Sequence, residues 1–217
     1  MHIISELMDN NIQTKIYKHE NYDDMERFIS YYQQVKFITD LNPEHVLEIG
    51  IGNKTLVNYM KEHNLPIQTC DIDKNLDPDF VGDIRDLPLE SESFDVVCAF
   101  QILEHISFDE VGKALDELYR VSKKYVIISV PYTPVHFEMI IRSTITYRLF
   151  NKHKISLFLK SEKLSRLWEY DGQHYWEMGK RNYTRKKVKD LLKSKFRIIR
   201  EKRIDLGYQY FFVLQKK

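Results

Sequence analysis

The sequence has little of several things. It holds two cysteines, Cys70 and Cys98, each inside an apolar stretch and with no CxxC or Cys/His cluster nearby. A disulfide framework and a zinc site are therefore not indicated, and both thiols read as core residues. Seven glycines and six prolines in 217 residues are too few for a collagenous or linker-rich chain. No run approaches the roughly 18 apolar residues that a membrane-spanning helix needs. The first residues, MHIISELMDNNIQTK, carry acids where a secretion signal would carry bases, so a soluble, cytoplasmic protein is expected. Net charge is almost absent too, at +1 from 33 basic and 32 acidic side chains.

What is present is a globular composition, 43% hydrophobic and 13% aromatic, in a length suited to one domain. The near-neutral total conceals an asymmetry. Residues 1–133 hold 12 Lys/Arg against 24 Asp/Glu, whereas residues 134–217 hold 21 against 8. Such polarity suits an anionic partner for the C-terminal part or two halves attracting across a cleft, and solvated basic helix faces would produce it equally.

Periodicity supplies the architecture. Met25, Phe28, Ile29, Tyr32 and Val35 recur at helical spacing, predicting an amphipathic helix before the first strand. His45–Gly50 (HVLEIG) reads as a buried strand, and Gly50-Ile51-Gly52 turns the chain into a helix facing the core through Leu56, Val57 and Met60. Residues 67–71 and 80–83 are short strands, each ending in an acid, with too few residues between them for a crossover helix. FDVVCAF, residues 94–100, is a fourth strand. Ser107-x-x-Glu110 predicts a capping box before a helix with Val111, Ala114, Leu115, Leu118 and Val121 inward. Residues 125–130 (YVIISV) form a fifth strand. After Thr133 the pattern breaks into an aromatic, basic insertion at 134–181. Thr184 then caps a helix with Val188, Leu191 and Leu192 inward, and strands 196–204 and 208–214 follow as a hairpin. The fold class is α/β: a Rossmann-like, doubly wound seven-stranded sheet, mostly parallel, with an antiparallel C-terminal hairpin. The whole chain, 1–217, reads as one domain with an N-terminal helical segment, 1–42, and a substrate-side insertion, 134–181. Ligands belong at the carboxyl ends of its parallel strands.

Glycine spacing decides which ligand. A dinucleotide fingerprint would place a third glycine at Thr55, and no phosphate loop with Gly-Lys-Ser/Thr is present, so diphosphate cofactors are disfavoured. Glu48, Asp71 and Asp83 remain as three carboxylates at successive strand ends beside Gly50 and Gly52. They suit a ligand offering a cationic amine, a ribose diol and an adenine amine, all of which donate hydrogen bonds.

The ordered strings VLEIGIGNKTLV, CDIDKN, VGDIRDLPLESESFDVVCAFQILEHI and LDELYRVSKKYVIISVPY resemble the motif series of class I S-adenosylmethionine-dependent methyltransferases, in the small-domain branch that includes ubiquinone-biosynthesis-type enzymes. The resemblance spans residues 45–132 and the closing helix and hairpin at 183–215. It implies S-adenosylmethionine as cofactor, with Glu48, Gly50 and Gly52 at its methionine end. Asp71 would hold the ribose hydroxyls with Ile72 beside the adenine, Asp83 and Ile84 would stand at the adenine edge, and Phe100 and Gln101 would open onto the sulfonium. One position departs: Lys54 stands where the family often has a further glycine. Asp71 or Asp73 could instead cap a turn.

Methyl transfer from a sulfonium depends mainly on holding donor and acceptor in line, and a base is needed only for a protonated acceptor. His105, in Glu104-His105, is the candidate catalytic residue, with His136 and His174 in the insertion as alternatives. Glu104 reads as orienting a neighbour or capping a helix. The insertion holds six Lys/Arg and one acid between Ile145 and Arg166. It could be a lid, lie on an anionic membrane surface or grip a phosphodiester backbone. The leading reading is a methyltransferase for a small-molecule, lipid or saccharide acceptor. RNA methylation stays open but less favoured, because no RNA-binding module is evident and Phe100-Gln101-Ile102-Leu103 lacks a Pro-Pro-Tyr signature. A non-catalytic cofactor-binding module is the other alternative. Oligomeric state and acceptor are not legible.

Overall fold

In the computed structural model, residues 23–205 and 207–217 are described, and the expected helical character of residues 1–22 lies outside them. Nine strands and five α-helices follow in chain order: α1 (Met25–Thr39), β1 (Val46–Ile49), α2 (Thr55–Glu62), β2 (Ile67–Asp71), β3 (Phe80–Val81), β4 (Phe94–Phe100), α3 (Val111–Val121), β5 (Ser122–Pro131), β6 (Val135–Arg142), α4 (Thr144–Phe150), β7 (Lys154–Ser161), α5 (Arg185–Lys195), β8 (Phe196–Arg203) and β9 (Gln209–Lys216).

The main sheet has the order β3-β2-β1-β4-β5-β9-β8. Its first five strands are parallel, and β9 enters antiparallel between β5 and β8. Side chains alternate across a strand, so the sheet builds one core on each face. Leu47, Ile49, Val97, Ala99 and Ile128 pack with α3, α5 and Trp176 on one face. Val46, Val96, Cys98, Phe211 and Val213 pack with α1 and α2 on the other. Burial on both faces explains why β1 and β4 read as apolar runs, each interrupted by one acid, Glu48 and Asp95. Both cysteines are free and buried in these cores, as expected. The strand order reverses between β1 and β4, and that reversal opens a crevice at the carboxyl ends of the parallel strands.

Helices α3 and α5 bury the faces anticipated for them, with Thr184 accepting from the Lys187 N–H at the head of α5. One local expectation changes. Ser107 does not bond the backbone at the head of α3. Its hydroxyl meets the Glu110 carboxylate instead, and a 3-10 turn over Phe108–Glu110 leads into the helix. Helix α1 buries only part of its apolar stripe: Met25, Phe28 and Tyr32 are exposed, Ile29 and Val35 pack half-buried on the core, and Ser30, Gln33, Gln34, Phe37 and Ile38 are buried. Toward its carboxyl end α1 meets the sheet closely, where Phe37 packs on Phe211 and Gln33 accepts from Lys202. The buried polar groups thus have partners, which keeps their burial affordable.

The insertion is organised too. Strands β6 and β7 pair antiparallel in a separate two-stranded sheet, with α4 at its tip. The chain then returns to the main body through an isolated bridge between Tyr132 and Met178. Among the described residues, no helix is long and apolar enough to cross a membrane.

Candidate functional site

The turn after β1 is the tightest part of the crevice. Gly50 and Gly52 have φ of +77° and +49°, and Lys54 joins them at +63°. Lys54 therefore takes the left-handed conformation that a glycine would take without strain, which accounts for the position at which the sequence departs from its expected pattern. Gly50 has a second reason to lack a side chain. A Cβ there would lie 2.0 Å from Cδ1 of Ile102, which follows β4 across the crevice.

Three carboxylates meet at this turn. Glu48 is buried, with one oxygen, Oε2, lacking any partner. Burial, and then the nearby Asp71, push its pKa up to about 8. Asp71 ties the turn to β2, accepting from the Ile51 N–H at Oδ2 (2.8 Å) and from the Asp73 N–H at Oδ1 (2.9 Å). Its pKa is nevertheless raised, because desolvation outweighs those bonds. Asp73 caps the short turn that follows, accepting from Asn75 at Oδ1, while its Oδ2 is buried and unpartnered. Orphaned buried acceptors are costly unless a donor arrives, so this edge fits a ligand bearing amine and hydroxyl donors and misfits one presenting phosphates. Asp73 is the addition the structure makes; its Asp-x-Asp spacing from Asp71 was the available signal.

The other anticipated residues are distributed as follows. Asp83 is gripped by Arg85, whose guanidinium also bonds Glu110, and this fork holds the Asp83 carboxyl below the usual range. Ile84 is buried in the core beside it, whereas Ile72 is exposed. Phe100 packs on Phe211. Gln101 has φ of +56°, with its backbone N–H and side-chain amide both donating to Ser129. A non-glycine residue held in that conformation at a strand end is a local strain of the kind that functional sites store.

Beyond Gln101 the chain forms a turn, Leu103–His105, onto which the end of the insertion folds. The Tyr175 N–H donates to the Glu104 carbonyl (2.8 Å), and Trp176, fully buried, donates from Nε1 to the Leu103 carbonyl (3.0 Å). His105 Nδ1 lies 3.1 Å from the Gln173 carbonyl oxygen, and its ring meets His174 edge-on at 5.1 Å. Desolvation holds the His105 pKa below its usual range. His174 goes the other way, raised chiefly by its 3.0 Å contact with Glu177, which also accepts from Thr133. Glu104 is completely buried with neither carboxyl oxygen partnered, and burial raises its pKa to about 8. One ligand-type atom from each of Glu104, His105 and His174 lies within 4.8 Å of the others, as do those of Asp171, His174 and Glu177. His136 stands apart on β6, against Phe158 of β7. It lines a cleft of about 380 Å³ together with Met25, Tyr132, Thr133, Glu138 and Tyr208.

Residues 47–129 match the family model described as a methyltransferase domain. No curated protein matches the chain in sequence. Among solved structures, magnesium protoporphyrin IX methyltransferase from Synechocystis PCC 6803, with bound S-adenosylhomocysteine, superposes with a TM-score of 0.62 at 11% identity, covering 99% of each chain. A Burkholderia thailandensis 1,6-didemethyltoxoflavin N1-methyltransferase gives 0.62 at 16% identity, covering 100% of this chain and 90% of that one. A methyltransferase from Archaeoglobus fulgidus gives 0.59 at 13%, covering 94% and 99%. At such identities the likeness is one of fold.

Proposed function

We propose that the chain is a class I, S-adenosylmethionine-dependent methyltransferase, of the kind whose domain model residues 47–129 match, that the crevice at Gly50–Gly52 binds S-adenosylmethionine, and that a methyl group passes to a small-molecule, lipid or saccharide acceptor in the adjoining cleft. The observation that carries this reading is the pair of orphaned buried carboxylate oxygens, on Glu48 just before the left-handed turn and on Asp73, whose N–H bonds the same Asp71 carboxylate that holds the turn. The bound cofactor would supply an activated methyl on a sulfonium, so the protein's task is to hold donor and acceptor in line and exclude water.

Glu48 would receive the amino end, and Asp71 and Asp73 the ribose hydroxyls. Asp71 already fixes the turn through the Ile51 N–H, leaving its remaining lone pairs for the ligand. Asp83 is neutralised by Arg85, so at the adenine edge this segment serves through backbone groups and the packing of Ile84. Phe100 and Gln101 set the mouth of the crevice. Desolvation lowers the His105 pKa and so favours the neutral imidazole, the form that can accept a proton from a hydroxyl or ammonium acceptor.

Calorimetric titration with S-adenosylmethionine and S-adenosylhomocysteine tests the assignment. The parent should bind both, and Asp71→Ala should lose about 1–3 kcal/mol through lost hydrogen bonds and a loosened turn. Absence of binding by a folded parent would overturn it.

A further inference from the structure

The β6–β7 hairpin has two unlike faces. Toward the body, Glu138 pairs with Arg203, Phe158 lies under that guanidinium, and Lys160 reaches Tyr132. Away from the body, the directly opposed pairs Phe137/Leu159, Met139/Leu157 and Ile141/Ile155 share one face. All six are large and apolar, and each is 42–58% exposed. At the tip, α4 adds Ile145 and Leu149, four residues apart and 65% and 69% exposed. Exposed apolar side chains gathered on one hairpin in this number mark an interaction site.

The charges around it select the partner. Arg142, Arg148, Lys152 and Lys163 are exposed and form no ion pair among the described residues. Arg142, Lys152 and His153 line an open cleft of about 860 Å³ at the hairpin tip. The two acids of the hairpin segment, Glu138 and Glu162, are both engaged with the body. We propose that this face docks on an anionic phospholipid bilayer, with the apolar pairs and α4 entering the acyl boundary and the cationic cleft taking headgroup phosphates. A second copy of the chain would bring one cationic rim against another. A nucleic acid would leave the aliphatic pairs without hydrogen bonds, and Phe137 is the only aromatic ring among them. The hairpin's inner face roofs the cleft holding His136, so docking would present that cleft to lipid-anchored acceptors; this last clause rests on the proposed methyl transfer, whereas the docking itself does not.

Sedimentation of the full chain with vesicles tests it. Binding to phosphatidylcholine vesicles containing 30% phosphatidylglycerol is expected to exceed binding to phosphatidylcholine alone by about tenfold or more, and to weaken with salt. Phe137→Ser/Leu157→Ser/Leu159→Ser should abolish it. Arg142→Glu/Lys152→Glu should reduce it by about fivefold or more for each residue while leaving residual binding. Because every substituted side chain is exposed, both variants should keep the parent's circular dichroism and S-adenosylmethionine affinity. A parent that stays in the supernatant with anionic vesicles at low salt overturns the proposal. So does a triple variant that binds like the parent, or a dimer in light scattering that the triple variant dissociates while no vesicle binding occurs.

Discussion

Glu48 offers the sharpest test of the cofactor crevice, because its burial makes it a proton reservoir. With its pKa raised to about 8, the carboxyl carries roughly 0.9 proton at pH 7 when the crevice holds no cation. A ligand bringing an ammonium group beside it favours the ionised form, so binding should expel that proton into the buffer. The perturbation is Glu48→Gln, which keeps shape and removes the titration. The assay is calorimetric titration of S-adenosylhomocysteine at pH 7 in phosphate, imidazole and Tris, whose ionisation enthalpies differ. The slope of apparent enthalpy against ionisation enthalpy counts the protons released. The ligand's own amine stands beside a free carboxylate, which holds its pKa above the peptide α-amino range, so at pH 7 it takes up less than about 0.2 proton and contributes equally to both proteins. Parent and variant should therefore differ by about 0.5–0.9 proton at pH 7, and by less than about 0.2 at pH 9, where Glu48 is already ionised. Equal slopes at pH 7 with measurable binding to both proteins would refute the assigned contact.

Two further outcomes concern stability. Glu104 holds its proton up to about pH 8 in the folded chain but releases it near 4.5 when unfolded, so folding takes up a proton between those values and stability falls as pH rises. The slope is up to about 1.4 kcal/mol per pH unit, on the order of 3–5 kcal/mol across the window. Urea unfolding from pH 5 to 8 should show Glu104→Gln with a slope shallower by that amount, whatever its uniform offset; parallel curves would contradict the burial argument. Gly50→Ala should cost about 2–4 kcal/mol in thermal melts, from the positive φ and the clash with Ile102. Ile102→Ala should recover the clash and leave about 1 kcal/mol of backbone strain, and failure of any recovery would show that strain alone is responsible.

The sheet was legible because burial on both faces leaves apolar runs that local sequence displays directly. HVLEIG and FDVVCAF stand in the core where their patterns put them, and the face of α3 was written in the spacing of Val111, Ala114, Leu115, Leu118 and Val121. The glycine turn was legible from Gly50 and Gly52, although Lys54 at φ +63° shows that a conformation is imposed by its surroundings as well as chosen by its residue. Helix α1 was legible as a helix, yet Met25, Phe28 and Tyr32 of its apolar stripe lie over solvent while Ile29 and Val35 pack on the core. Its orientation is set by where Phe37 and Ile38 reach the sheet, not by the strongest period in the segment.

Charge pairing was the other matter that only the tertiary structure decided. Asp71, Asp73 and Asp83 look alike as acids following strands, yet one ties a turn, one keeps an orphaned oxygen and one is neutralised by Arg85. Trp176 closing on Leu103 and Glu138 pairing with Arg203 join residues 73 and 65 positions apart, respectively. Local patterning determines which segments must be buried, since hydrophobic burial depends only on the residues a segment contains. The partners of a polar group depend on which distant segments packing brings within hydrogen-bond reach, and that geometry exists only once the chain has folded.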